Sequence, residues 1–360
     1  MLFGSSWIES KPTDGEDWVV ELPEDSAFPM EIILDNIHGR FERVPKTLGL
    51  EDLRDLLVLT NKYDMTGIVR PWGAQWIEAA RKPDLDSDDI LRSLFVAWEL
   101  GDEHLFTHRL QEIALRAKVN EEGRLSYTAL VPEVQAEVQD DSADEDDSAD
   151  EDDPWILSEK DAILEEEDHL GPQDALDVIS SIRETLLAKL VTSIHEELDS
   201  RMKPEPCCSF KWGDKSRNYA CDTAVVGHIH QSMLRVRGSI LPRSASDIDD
   251  SVLELVCSLF DTELFGAVPN IHLQPFRYSS TREFCDPVGK FFELRNSIYK
   301  NSPTLVAASI KPSYKEYMAK QRGRTGLVMA EKQDRRGSER YLRIYNICKW
   351  RRYQHLSGVY

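Results

Sequence analysis

Apolar residues recur at helical spacing through the first part of the chain, and the earliest such run follows an extended segment. The letters "DWVVELPED" predict a short strand over residues 18–22 that Pro23 terminates. A helix follows, with Asp25 or Ser26 as its cap and Gly39 as its stop. Its apolar positions are spaced i, i+3, i+4 and i+7, which predicts one buried face: Met30, Ile33, Leu34 and Ile37.

Four more helices are predicted before residue 120. They cover residues 50–63, 66–80, a segment capped by Asp86 or Ser87, and residues 102–118. Pro71 lies inside the second of these four, so that helix begins with a broken turn or is kinked there. One strand followed by short-looped helices predicts an α+β fold that is mostly α-helical.

An acidic tract interrupts this pattern. Ten of the fourteen residues from Asp140 to Asp153 are acidic, and the unit DDSADE occurs twice. Such a tract has no apolar face and predicts a solvated linker. Helical periodicity returns over residues 159–202, where steps of mostly four residues indicate a packed helix instead of a coiled coil. Its apolar stripe comprises Leu176, Ile179, Ile182, Leu186, Leu190, Ile194 and Leu198.

Charge and hydropathy bound the class of protein. The formal net charge is -22, yet residues 311–360 carry thirteen Lys or Arg against four Asp or Glu. No apolar run reaches the length of about 20 residues that a membrane helix needs, and the first residues lack the features of a secretory signal. A cytoplasmic or nuclear location is expected, with no membrane partner and with all six cysteines reduced.

Several short segments, in order and spacing, resemble fungal proteins with an N-terminal BTB/POZ domain. They are "LPED", "IHGRF", "VPKTL", "LVLTNKYD" and "RPW" within residues 21–81, and "AWELGDEHLFTHRLQEIAL" over residues 97–115. The resemblance implies a non-enzymatic protein–protein interaction or adaptor protein that links partners to a cullin-type ubiquitin-ligase scaffold. The helix, hairpin and second helix with which a BTB/POZ domain opens have no counterpart in this sequence. The family's homodimer is therefore not expected, and only one strand of the domain's first sheet is predicted here.

The resemblance also implies a partner-binding surface on the later helices of the domain. Carried over to this chain, the candidate residues are Tyr63, Asp64, Arg70, Trp72 and Trp76. Aromatic residues at helical spacing are more often core than surface, so Tyr63, Trp72 and Trp76 have a second interpretation as core residues.

Metal, cofactor and catalytic chemistry find little support. The weak candidate zinc ligands are Cys207, Cys221, His272 and Cys285, which lack the paired C-x2-C spacing and fit ordinary buried thiols and surface histidines better. Neither phosphate-loop nor dinucleotide, metalloprotease, nucleophile-elbow or kinase motifs occur, so no enzyme and no cofactor is expected. Ser142 and Ser148, each followed by Ala-Asp-Glu, are candidate phosphorylation sites.

A second function remains open beside the adaptor hypothesis. The C-terminal tail interleaves basic and aromatic residues, which is typical of surfaces that bind nucleic acid or chromatin, although no recognised nucleic-acid-binding motif accompanies it. The predicted organisation is a partial BTB/POZ domain at 1–81, a helical extension at 82–130, an acidic linker at 131–158, a mainly helical region at 159–325 and a basic tail at 326–360.

Overall fold

The structure is a computed structural model, and it is mostly helical with a small antiparallel sheet, which confirms the predicted α+β class. It describes residues 22–82, 85–132, 157–166, 170–205, 215–259 and 289–328. The predicted strand at 18–22 lies outside these ranges except for Leu22. No helix in the described ranges is both long enough and apolar enough to cross a membrane.

The first helical layer follows the predicted order. Helix α1 spans Ala27–Ile37 and α2 spans Leu50–Lys62. The segment predicted as one helix with a break at Pro71 is divided into a 3₁₀ turn at Thr66–Val69, a short helix α3 at Gly73–Trp76 and a second 3₁₀ turn that follows directly. Proline removes one backbone N–H and clashes with the preceding turn, which explains the division.

Two longer helices complete the layer and have clear caps. Helix α4 spans Ser87–Leu100, and the Asp86 carboxylate accepts a hydrogen bond from the Asp89 N–H at 2.8 Å, which confirms Asp86 as its cap. Gly101 ends α4 in the left-handed conformation, with φ +80°. Helix α5 follows at once over Glu103–Arg116, so it begins one residue later and ends two residues earlier than predicted.

A sheet that the sequence pattern missed begins directly after α5. Strand β1 is Ala117–Val119, β2 is Leu125–Pro132 and β3 is Leu157–Ile163, and the three pair antiparallel in chain order. The expectation of helix over 159–163 is therefore wrong. The acidic tract connects β2 to β3, which are hydrogen-bonded neighbours from Ser126 opposite Ile163 to Pro132 opposite Leu157.

The C-terminal half returns to helices. Helix α6 spans Ala175–Arg201, α7 Lys215–Arg237, α8 Val252–Leu259, α9 Gly289–Ser309 and α10 Pro312–Thr325. The predicted stripe on α6 is confirmed from Ile179 to Leu198, and Leu176 is partly buried.

Buried apolar residues on the two sides of the acidic tract form one cluster. Leu57 of α2, Ile182 of α6 and Met318 of α10 all belong to it. Arg183 of α6 bonds the Ala117 carbonyl at the start of β1, and α10 packs against α4 and the 3₁₀ turn at Thr66–Val69. The elements that precede the tract and those that follow it therefore share one core.

Candidate protein-interaction face

The outer side of α1 exposes apolar side chains that the spacing predicted to be buried. Ile33 is buried, but Leu34 is 46% and Ile37 54% exposed, and Phe41 in the following turn is 53% exposed. The prediction of one buried face is wrong for Leu34 and Ile37. We call the exposed side chains of Leu34, Ile37 and Phe41 the α1 face.

The orientation of α1 explains this exposure. Pro29, Ile32 and Ile33 pack into the core, which turns Leu34 and Ile37 outward. The Trp72 indole Nε1 donates a hydrogen bond to Asn36 Oδ1 at 3.0 Å, on the last turn of α1. Packing and this hydrogen bond together hold α1 in an orientation that leaves apolar surface toward solvent. Contiguous exposed apolar surface marks interaction sites in soluble proteins.

Basic side chains follow the α1 face in sequence. Arg40, Arg43 and Lys46 are exposed in the segment that follows α1, with Glu42 as the exposed acidic residue among them. Asp35, within α1, is buried and lies 3.8 Å from the Arg40 guanidinium. Glu31, one helical turn before Leu34, is exposed as well, so the apolar face is followed in sequence by mainly basic exposed side chains and preceded by an acidic one. The basic segment is suited to an acidic amphipathic segment of another protein.

Trp76 and Trp72, two of the predicted partner-binding residues, support the fold from within. Trp76 is 1% exposed, and its Nε1 donates to the Pro45 carbonyl at 2.9 Å. Its ring stacks on that of the half-buried Trp72 at a centroid distance of 6.1 Å. Trp76 therefore belongs to the core and is inaccessible to a partner in this state.

Tyr63 has a local structural contact. Its hydroxyl donates a hydrogen bond to the Asp25 carboxylate, which also receives the Lys62 ammonium at 2.8 Å. These contacts join the end of α2 to the turn before α1. Tyr63 is partly buried against the core, in line with its second interpretation.

Asp64 and Arg70 are engaged by the C-terminal end of α10. The Arg324 guanidinium lies 2.8 Å from the Asp64 carboxylate and donates to its backbone carbonyl at the same distance. Gly326 packs so closely on Arg70 that a Cβ there would lie 2.8 Å from Arg70 Cγ. The surface predicted for a partner is thus contacted by this chain's own helix.

The remaining predicted site residues fall mostly outside the described ranges. Only Cys221 of the four zinc candidates is described, and it is a buried cysteine outside any disulfide. In the described ranges, no group of three or more His, Cys, Asp or Glu side chains is arranged to hold a metal ion. The expectation that all cysteines are reduced is wrong for Cys257, which is disulfide-bonded. The other three zinc candidates and the two candidate phosphorylation sites lie outside the described ranges: Cys207, His272, Cys285, Ser142 and Ser148.

The sequence of α1 also indicates the α1 face, through a feature that the i, i+3, i+4, i+7 spacing does not capture. Helix α1 reads AFPMEIILDNI, in which apolar residues occupy more than one side of the helix. A helix whose apolar residues exceed a single stripe has more surface to bury than one neighbour covers. Excess apolar width, together with the core contacts of Ile32 and Ile33, identifies the outer side as a contact surface.

Comparisons with protein-family models, with curated proteins and with solved structures find no match.

Proposed function

We propose that this chain is a non-enzymatic protein–protein interaction protein of the BTB type, which binds an acidic amphipathic segment of a partner protein on the α1 face. The observation that carries the proposal is the exposure of Leu34, Ile37 and Phe41 on and next to a helix whose Ile32 and Ile33 are buried in the core. Burying such a helix face is the usual mechanism of helix-in-groove and helix-on-helix recognition.

The basic segment supports an acidic partner. Arg40, Arg43 and Lys46 are exposed in the segment that contains or follows Phe41, so a partner with carboxylates beside its apolar residues is electrostatically matched. Rim charges act mainly on association rate and specificity, while the apolar centre supplies the affinity. A cullin-type ligase scaffold is one partner that the BTB resemblance implies, and the cytoplasm or nucleus is the proposed location.

Site-specific photo-crosslinking in the native cell tests the proposal. A benzophenone amino acid replaces Ile37 in one variant and Ile240, which is 56% exposed elsewhere, in a matched control. We expect the Ile37 position to crosslink one protein that the Ile240 position does not, with or without nuclease treatment. Equal crosslinking from both positions would overturn the proposal.

Nuclease treatment separates the second function from the first. The basic tail at 326–360 is the part of the chain suited to nucleic acid or chromatin. Loss of the Ile37 crosslink after nuclease treatment would show that nucleic acid bridges the two proteins. That result would favour the nucleic-acid function and reject direct binding at the α1 face.

A further inference from the structure

Helix α10 is seated on α4 through one regularly spaced side. Its buried residues are Tyr314, Met318, Gln321 and Thr325, spaced by four, three and four. The ring of Tyr317 stacks on Trp98 of α4 at 4.3 Å with an interplanar angle of 9°. The Thr325 hydroxyl donates to the Leu100 carbonyl at 3.0 Å. Because these contacts all lie on one side of α10, they hold the helix against α4 in a single register.

A buried carboxylate stands at the centre of this seat. Glu99 of α4 is 1% exposed. Its Oε1 accepts hydrogen bonds from Asn61 Nδ2 of α2 at 2.7 Å and from the Tyr317 hydroxyl at 2.9 Å. Its Oε2 accepts one from Gln321 Nε2 at 3.0 Å. A single acidic side chain thus joins α2, α4 and α10.

No cation neutralises Glu99 within the described part of the chain, where it forms no ion pair within 4.0 Å. The charged group on α10 that acts on it electrostatically is Arg324, which is paired with Asp64 at 2.8 Å. From α2 it meets only the neutral Asn61. Burying a charge among neutral donors is costly because water solvates the ion better.

The hydrogen bonding of α10 leaves the site incompletely satisfied. Gln321 Oε1 is buried and has no hydrogen-bond partner. Burial raises the pKa of Glu99, and the hydrogen bonds from Tyr317, Asn61 and Gln321 offset this only in part. Burial and the adjacent carboxylate of Glu99 also raise the pKa of Tyr317.

The position of α10 determines whether Glu99 is buried, and this sets the direction in which pH acts on the helix. Lifting α10 removes the Tyr317 and Gln321 donors and admits water to Glu99, whose pKa then returns toward its ordinary value. The seated state therefore holds a proton on Glu99 more tightly than the lifted state. Seating is favoured at acidic pH, and this contribution is lost as pH rises through the raised pKa of the seated state.

We propose that α10 is a proton-linked clasp, in which seating of the helix takes up a proton from solvent at Glu99 and deprotonation of Glu99 favours release. Release frees Asp64 and Arg70 from Arg324 and Gly326 and uncovers Glu99 and the side of α4 on which α10 packs. The clasp involves a different part of the fold from the α1 face, because α10 packs on α4 and on the 3₁₀ turn at Thr66–Val69.

Hydrogen exchange of the full-length chain tests the clasp. Protection factors of the α10 amides, corrected for the intrinsic exchange rate, are measured from pH 5.5 to pH 8. In the unaltered chain we expect protection to fall with rising pH, by up to about tenfold for each unit by which seating raises the pKa. In Glu99→Gln the fall should disappear. Glu103→Gln is the control, because Glu103 also faces α10, 3.8 Å from Arg322, but its side chain is 36% exposed.

Flat protection in the unaltered chain, or an unchanged pH profile in Glu99→Gln, would overturn the clasp. A second variant decides the matter if Glu99→Gln fails to fold. Asn61→Asp places a second carboxylate beside Glu99, so the pair holds a proton to higher pH and the fall in protection should move upward. Asn61 is exposed in α2, so the substitution is compatible with folding. An unmoved profile in Asn61→Asp would also reject the clasp.

Discussion

Replacing Arg183 by methionine should separate the sheet from the C-terminal helices more than any surface substitution does. Arg183 lies in α6 and is 3% exposed. Its Nε donates to the Ala117 carbonyl at 2.9 Å, at the start of β1. Its Nη2 donates to the carbonyls of Ile248, Asp249 and Asp250 at 2.7, 2.9 and 2.8 Å, in the turn before α8.

The magnitude follows from the number of hydrogens available. Nε carries one N–H and Nη2 two, so three N–H groups serve four carbonyls. Each buried acceptor left without a donor costs about 1–3 kcal/mol, but Asp249 and Asp250 lie at part-buried sites where water can replace the guanidinium. Burial of the guanidinium lowers the pKa of Arg183, which shows that burying this charge is unfavourable. Methionine carries no charge, so the substitution regains part of the lost stability. We therefore expect a loss of about 2–4 kcal/mol in the free energy of unfolding.

Urea unfolding followed by circular dichroism measures this loss. A protein of this size should show a midpoint lowered by about 1 M in Arg183→Met. Arg243→Met is the control, because Arg243 is exposed and its Asp199 partner is 3.4 Å away, so its loss should stay within about 0.5 kcal/mol. Equal midpoints for the two variants would refute the reasoning that Arg183 joins the two sides of the acidic tract.

Two further pairs of substitutions test the packing. Gly101→Ala should cost about 1–2 kcal/mol for its positive φ and about 1–3 kcal/mol more for overpacking, because a Cβ there would meet the Met318 carbonyl. Gly39→Ala should show only the first cost, since nothing lies within 4 Å, and equal thermal shifts would contradict this. Trp76→Ala should cost about 3–5 kcal/mol, whereas the half-buried Trp72→Ala should cost roughly half as much in urea unfolding. A larger loss for Trp72 would contradict the placement of Trp76 in the core.

Local features of the fold were predictable because they depend on neighbours in sequence. The Asp86 cap, the interruption at Pro71 and the stripe on α6 are each determined within one or two helical turns. The sheet was not predictable in this way. Ala117–Val119 is too short to show alternation; it pairs with β2 across a turn, and β2 in turn pairs with β3 across the acidic tract.

In the candidate site, too, local features were predictable and contacts between distant parts of the chain were not. Spacing identified the apolar residues of α1 but could not say which of them face the core, because Ile32 and Ile33 compete with Leu34 and Ile37 for that side. The contact of Glu99 with Gln321 joins positions 222 residues apart. Periodicity specifies that a helix has a buried side, but not which groove receives it, so the engagement of Asp64 by α10 could not be foreseen.

The most direct test of the α1 face is a binding titration with the purified partner that crosslinks at Ile37. Fully burying one aliphatic side chain contributes about 1.5–3 kcal/mol. Leu34 and Ile37 are each about half-exposed, so burying the remainder of both on binding contributes about the same free energy as burying one side chain fully. The Leu34→Ser/Ile37→Ser variant should therefore bind about tenfold to a hundredfold more weakly. Leu234→Ser/Ile240→Ser, which alters side chains of matching exposure, should bind as the unaltered chain does. Equal affinity for all three proteins would contradict recognition through the α1 face.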